Sequence, residues 1–189
     1  MQNIKETSIP GLLLIERPMT RDARGFFREV VRWDELNEVL KVTCPELVEG
    51  FRPVQWNHSL SQPGVIRALH AENWNKLFYP VTGKMFAAIV DIRLEQPTFG
   101  KVETFVIDEE EPKALFLSKG LANSLCVVGD KPLHYMYLVD AYYDGSDVRA
   151  VAWDDPDLAI DWPVKEPIIS DRDRNNFRLR ELFPEKFSQ

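Results

Sequence analysis

Apolar residues in this chain come in short runs, and glycine or proline breaks them at close intervals. Pro10-Gly11, Pro63-Gly64, Gly83, Pro97, Gly100, Gly120, Gly129-Asp130 and Gly145 are the punctuation. Between them lie GLLLIERPM, FREVVRW, GVIRAL, KLFYPVT, KMFAAIVDIR, KVETFVID, KALFLS, LCVVGD, LHYMYLVDAYY and VRAVAW. All are rich in Val, Ile, Phe and Tyr and short enough for strands. Many short strands at this spacing predict a mainly β fold, a sandwich or barrel. VTGK after KLFYP predicts a tight hairpin, with Gly83 supplying a positive φ. Two stretches read differently. WDELNEVLKVT, residues 33–43, fits a helix, and the tail SDRDRNNFRLRELFPEKF fits another short one. The expected architecture is an eight-stranded jelly roll with a few short peripheral helices. Its cavity would be lined by alternate side chains of several strands. No internal repeat, low-complexity segment or linker interrupts the pattern. Residues 1–189 are therefore expected to form one domain with an N-terminal arm and a C-terminal tail.

Charge narrows the partners. A formal net charge of −7 disfavours nucleic acid, whose binding requires a positive field. A small anionic ligand stays open, because it needs only a few local cations. Cys44 and Cys126 have no CxxC spacing, and Cys126, in the apolar run SLCVV, is expected to be a buried thiol. The opening MQNIKETSIP lacks the apolar stretch of a signal peptide, and no run reaches the ~20 apolar residues of a membrane span. No membrane partner and a cytoplasmic location are expected.

The stretch with most chemistry is RALHAENWNK, residues 67–76, where Arg67, His70 and Lys76 crowd the head of a strand. Three readings compete: a solvated polar edge, a metal site, or a base with an anion clamp. Metal-binding jelly-roll barrels usually pair two histidines at H-x-H with a carboxylate and a later histidine. Here Glu72 takes the second position and only His58 and His134 remain, leaving a three-histidine site as the metal option. The base-and-clamp reading needs partners elsewhere. RDARGFFRE offers Arg24 beside a glycine and two phenylalanines. QWNHSLSQPGVIRALH places Gln55 and Asn57 ahead of the strand. LHYMYLVDAYY sets Tyr137 in strand alternation, and DWPVKEPIISDRD ends in Asp171 and Asp173. Taken singly, Tyr137 reads as a sheet aromatic, and Arg24 and Asp173 as solvated surface.

Taken together, these segments resemble the dTDP-4-dehydrorhamnose 3,5-epimerase family, sugar-nucleotide epimerases with a cupin-like jelly-roll barrel. The matching motifs are D-A-R-G-F-F-R-E, Q-x-N-H-S-x-S followed by G-V-I-R-A-L-H, V-D-I-R…Q-P-T-F-G-K, Y-L-V-D-A-Y-Y, and W-D-D-P-D-L-A-I-D-W-P…S-D-R-D. They run collinearly from about residue 10 to 175. The resemblance implies proton abstraction beside the C4 ketone of a nucleotide-linked 4-keto sugar, with return on the opposite face and no metal or cofactor. It makes His70 the base, Asp173 its orienting carboxylate, Lys76 the partner of the developing O4 charge and Tyr137 the acid. It assigns Arg24, Glu29, Gln55, Asn57 and Arg67 to the base, sugar and diphosphate. It assigns Tyr143 to stacking on the pyrimidine and Arg172 to the ligand's surroundings. It also implies a homodimer in which the arm around Arg24 reaches the neighbouring subunit.

Several departures bear on specificity. Where the family has G-x-A-H-G, this chain has G-L-A-N-S, so Asn123 replaces a histidine near the substrate. Asn keeps a donor and an acceptor but carries no charge. R-A-L-H replaces R-G-L-H, and the Ala68 methyl is expected to narrow the pocket. After Tyr143 the family's Pro and ligand-binding Glu are replaced by Gly145 and Val148, with Asp147 one position off. The segment between His70 and Lys76 is shorter than usual. The expected activity is 3,5-epimerisation of a dTDP-4-keto-6-deoxy sugar. Alternatives are a 3-only or 5-only epimerase, one acting on a GDP-linked or other nucleotide sugar or heptose, and a non-catalytic sugar-nucleotide-binding barrel.

Overall fold

The computed structural model describes residues 3–111, 113–143 and 148–187. The N-terminal part contributes β1 (Ile4–Glu6), β2 (Leu12–Ile15), β3 (Met19–Asp22), β4 (Gly25–Arg28) and helix α1 (Trp33–Thr43). The middle contributes β5 (Gln55–Ser61), β6 (Ile66–Glu72), β7 (Lys76–Thr82), β8 (Lys84–Asp91) and β9 (Val102–Asp108). β10 (Ala114–Leu117), β11 (Leu121–Val128), β12 (Leu133–Val139) and β13 (Val148–Ala150) follow, then the one-turn helices α2 (Asp171–Arg174) and α3 (Leu179–Leu182).

Two antiparallel sheets form the body. One has the order β1-β2-β10-β7-β12-β5, the other β13-β6-β11-β8-β9, and β3 and β4 make a separate hairpin. From β5 onward the chain passes repeatedly between the two sheets, which is the jelly-roll arrangement expected. Period-two alternation sorts the side chains. On β8, Met85, Ala87 and Ile89 join the core between the sheets. Phe86 and Val90 point the other way, onto a second core built with Leu158, Ile169, Leu179 and Phe183 of the C-terminal segment. A third core lies outside the larger sheet, where Leu36, Val39 and Leu40 of α1 cover Leu13, Leu77 and Phe116. That spacing is the apolar stripe of an amphipathic helix.

The helix over 33–43 appears at the expected boundaries. FREVVRW is not one strand: β4 stops at Arg28, and Trp33 already belongs to α1, because Leu36, Val39 and Leu40 bury best at helical spacing. QWNHSLS, expected to lie ahead of a strand, is itself strand β5. Gly83 has the predicted positive φ of 85°. It does not close a hairpin, however, since β7 and β8 belong to different sheets. It turns the chain from one sheet to the other, and a Cβ there would lie 2.6 Å from the Pro132 carbonyl oxygen. Among the described residues no helix is long and apolar enough to cross a membrane.

Candidate active site

Strict alternation on β6 would send Arg67 and His70, three positions apart, to opposite faces. The pairing with β11 prevents this. Arg67 lies opposite Leu125 and His70 opposite Asn123, so β6 uses three steps where β11 uses two. The extra residue is a β-bulge at Ala68 and Leu69, both packed into the outer core. Arg67, His70 and Glu72 consequently all line one chamber between the sheets, with a volume of about 150 Å³. Ala68 itself is fully buried away from that chamber, so its methyl does not narrow the pocket as expected.

His70 Nε2 lies 2.7 Å from Asp173 Oδ1. Asp173 sits in α2, where Ser170 caps the turn by accepting from its N–H. The other Asp173 oxygen accepts from the N–H of bulged Ala68 at 3.4 Å. Burial pushes the Asp173 carboxyl up. The hydrogen bond and charge of His70, the Ala68 N–H and the Arg172 guanidinium together outweigh it and hold the group below its ordinary range.

Across the chamber, Lys76 opens β7 and its side chain is almost wholly buried. Its ammonium donates to Asn123 Oδ1 at 2.9 Å, stands 3.7 Å from Glu72 and lies 4.6 Å over the Tyr137 ring. Asn123 Nδ2 donates to the His70 carbonyl at 2.6 Å and to Glu72 Oε2 at 3.1 Å. Those two acceptors orient the amide, so its carbonyl faces Lys76. Tyr137 and Tyr135 alternate on β12 with rings stacked 5.6 Å apart. Burial raises the Tyr137 phenol, and Tyr135 adds to the rise while Lys76 opposes it. Lys76 thus does not bring the phenol below its ordinary value. The result is a phenol that holds its proton until a strong base takes it. Burial pushes Tyr135 up to about 12.

A mouth of about 350 Å³ shares His70, Glu72 and Tyr137 with the chamber and adds Gln55, Asn57, Trp74, Tyr143 and Arg172. Gln55 Nε2 donates to Asn57 Oδ1 at 2.7 Å. Arg67 is held by Ser61 Oγ and the Leu60 carbonyl. Ten of the twelve residues singled out from sequence therefore meet at one cleft. Arg24 and Glu29 do not: Arg24 pairs with Asp22 on the β3–β4 hairpin, and Glu29 with Arg17 and Arg32. Gly145 and Asp147 lie outside the described residues, and Val148 begins β13.

Sequence reasoning weighed Glu72 only against the metal pattern and passed over Trp74 and Tyr135. The signal for two of them was the period of two: Glu72 follows His70 by two positions and Tyr135 precedes Tyr137 by two. Nothing in the local pattern marked Trp74. The three histidines do not converge. His58 and His134 lie against each other at 2.9 Å on neighbouring strands, at positions that alternate with the cavity-lining Asn57, Ser59, Tyr135 and Tyr137. Among the described residues no group of three or more His, Cys, Asp or Glu could hold a metal ion.

Comparison with known proteins bears on this cleft. Residues 6–181 match the family model described as dTDP-4-dehydrorhamnose 3,5-epimerase. An enzyme of that name from Shigella flexneri is 34% identical over 177 residues, covering 92% of this chain and 93% of its own. The solved dTDP-6-deoxy-D-glucose-3,5-epimerase of Legionella pneumophila Philadelphia 1, in complex with dTDP-4-keto-L-rhamnose, superposes with a TM-score of 0.85. It is 33% identical and covers 97% of this chain and 95% of that one. A 3′-monoepimerase from Streptomyces bikiniensis, in complex with dTDP-quinovose, gives 0.83 at 29% identity, over 94% of this chain and 89% of that one. The match spans both sheets and every segment that builds the cleft, and it places this chain in the dTDP-4-dehydrorhamnose 3,5-epimerase family.

Proposed function

We propose that this protein epimerises a dTDP-linked 4-keto-6-deoxy sugar by moving protons beside the C4 ketone. His70 takes the proton from C3 or C5. The electrons of the broken C–H bond pass into an enolate whose oxygen faces Lys76. Asp173 holds the imidazole in one tautomer and stabilises the imidazolium that forms. Tyr137 donates its phenolic proton to the carbon from the other face, and solvent then restores both groups. No electrons leave the substrate, so the reaction needs no redox cofactor. The observation that carries this reading is the His70–Asp173 contact opening on the same chamber as Lys76 and Tyr137. The cleft suits the nucleotide: Arg67, in the chamber, offers a planar fork for diphosphate oxygens, and Tyr143, at the mouth and 57% exposed, offers a ring for the base.

A single-carbon epimerase is the second reading. It is favoured by Asn123, a neutral residue locked between Lys76, Glu72 and the His70 carbonyl. Incubation with dTDP-4-keto-6-deoxyglucose in deuterated water tests both. Two deuterons, at C3 and C5, support the 3,5-epimerase, and one supports the single-carbon enzyme. Deuterium at neither carbon sinks the functional reading.

The same reading includes a homodimer. Phe26 and Phe27 are 53% and 73% exposed on the β3–β4 hairpin, and among the described residues Arg24 pairs with Asp22. A second subunit would cover those rings and receive Arg24 and Glu29 at its mouth. Light scattering at micromolar concentration should give twice the chain mass, and a monomer would remove this part of the proposal.

A further inference from the structure

We infer that Trp74 is a nucleotide-contacting residue of this site, donating its indole N–H to an acceptor oxygen of the bound nucleotide. The inference rests on the functional reading above and extends it to a residue that the family resemblance does not assign.

The argument starts with the link between β6 and β7. These strands belong to different sheets, and only Asn73, Trp74 and Asn75 join them. So short a link crosses directly at the rim of the cleft. Asn75 then pins it. Its N–H donates to Asp140 Oδ1 at 2.8 Å, its Nδ2 to Asp140 Oδ2 at 2.7 Å, and its Oδ1 accepts from the Lys119 N–H at 2.9 Å. Asp140 directly follows β12 and leads the corner that carries Tyr143. One carboxylate therefore ties together the two corners bearing Trp74 and Tyr143. Their rings meet edge to face, with centroids 6.2 Å apart and planes at 69°. Such a corner presents two aromatic walls at fixed spacing, a shape suited to a planar heteroaromatic base.

The polar atoms point to the same ligand class. Trp74 Nε1 and Asn57 Nδ2 are both buried and meet no acceptor among the described residues, and both residues line the mouth. Buried donors nearly always have partners, because an unmet one forfeits its hydration without return. Two unmet donors in a mouth that also holds Arg172 fit a ligand rich in acceptor oxygens. A nucleoside diphosphate carries these in two places, on its phosphoryl groups and on its pyrimidine carbonyls. Trp74 lines the mouth, beside the space that a bound nucleotide would fill. Trp74 lies at the mouth and not in the inner chamber, so it holds the nucleotide and takes no part in proton transfer.

The test is calorimetric titration of the full chain with thymidine 5′-diphosphate, thymidine and inorganic pyrophosphate. Trp74→Phe keeps a ring and removes the donor. It should weaken thymidine 5′-diphosphate binding about tenfold, the ~1.4 kcal/mol equivalent of one good hydrogen bond. Trp74→Ala should weaken it further. In turnover the loss should fall on KM far more than on kcat. A loss that persists with pyrophosphate assigns the acceptor to the phosphoryl groups, and a loss confined to thymidine assigns it to the base. If the wild type binds and Trp74→Phe binds equally well, this inference is overturned while the functional reading stands. If the wild type binds none of the three, both fall together. A melting scan of each variant checks the fold, which Phe should preserve because Trp74 is only partly buried.

Discussion

Arg67 and His70 stand three positions apart on one antiparallel strand and face the same chamber. The bulge at Ala68 and Leu69 makes this possible. The same bulge turns the Ala68 N–H toward Asp173, so one local irregularity bears on Arg67, on His70 and on the carboxylate that His70 meets. Bulges recur beside active sites because they re-aim a side chain without breaking the sheet.

His70→Ala should lower solvent deuterium exchange at every exchanging carbon by ~10²–10⁴-fold, the usual contribution of a positioned base. Thymidine 5′-diphosphate binding should survive, since the proposed function puts the nucleotide on residues other than His70. Near wild-type exchange in this variant would remove His70 from the mechanism.

Asp173 links the site to stability. Its carboxyl is held below the ordinary ~3.9 in the folded protein. The stabilisation it provides is therefore fully present above that ordinary value and is lost as pH falls through the lower folded one. Asp173→Asn should cost on the order of 1 kcal/mol at pH 7, the scale of a single hydrogen bond. The gap to wild type should shrink as the medium approaches pH 3. Melting curves at pH 7 and at about pH 3 read this directly, and a gap that grows toward acid would contradict the assigned sign.

Much of this site was legible because its residues sit in collinear motifs whose chemistry fits one reaction. His70, Lys76, Asp173 and Tyr137 converge as that reading requires. The parts that were not legible depend on register. The Ala68 methyl, expected to narrow the pocket because it replaces a glycine of the family motif, lies instead in the outer core at a bulge that is set by pairing with β11 and leaves no local signal. Gly83 was read as a hairpin glycine because a positive φ looks alike in any tight turn. Whether the flanking strands pair with each other depends on β10, β11 and β12, far along the chain. Arg24, on the outlying hairpin, and Glu29, just after it, stand apart from the cleft within one chain, and the resemblance sends this arm to a neighbouring subunit.

Both cysteines should be inert in the native protein. They are fully buried, and burial pushes Cys126 up to about 11 and Cys44 above its ordinary value. The thiolate is the reactive form, so little is present at pH 8. Iodoacetamide should label neither residue in hours under native conditions, and both promptly in denaturant. Mass spectrometry that finds native Cys126 alkylated would show the core opening far more readily than its packing implies.

Tyr137→Phe removes one hydroxyl and little volume, so fold and nucleotide affinity should hold. His70 can still form the enolate, and some exchange should persist. Inversion should fall much further than exchange, because the donor on the opposite face is gone. The ratio of inverted product to deuterated starting sugar, read by NMR, is the measurement. Equal losses in both would move Tyr137 to the enolate-forming step.

Asn123 acts on a different axis. Its amide bridges three groups of the site at once: the Lys76 ammonium, the Glu72 carboxylate and the His70 carbonyl. Asn123→His replaces a fixed donor–acceptor pair by an imidazole that can take a charge. Protonated, the ring pairs with Glu72 and repels Lys76; neutral, it can serve only one of them. Either way the ammonium shifts relative to the enolate oxygen, and the balance between the two carbons flanking C4 shifts with it. The base, its carboxylate and the phenol stay in place, so exchange should continue within about tenfold of wild type, far less than removal of a base costs. The expected change is in the ratio of C3 to C5 deuteration with dTDP-4-keto-6-deoxyglucose. An unchanged ratio with an intact rate would mean that Asn123 only props Lys76, and specificity would then have to be sought at Glu72, the other polar residue within reach of that ammonium.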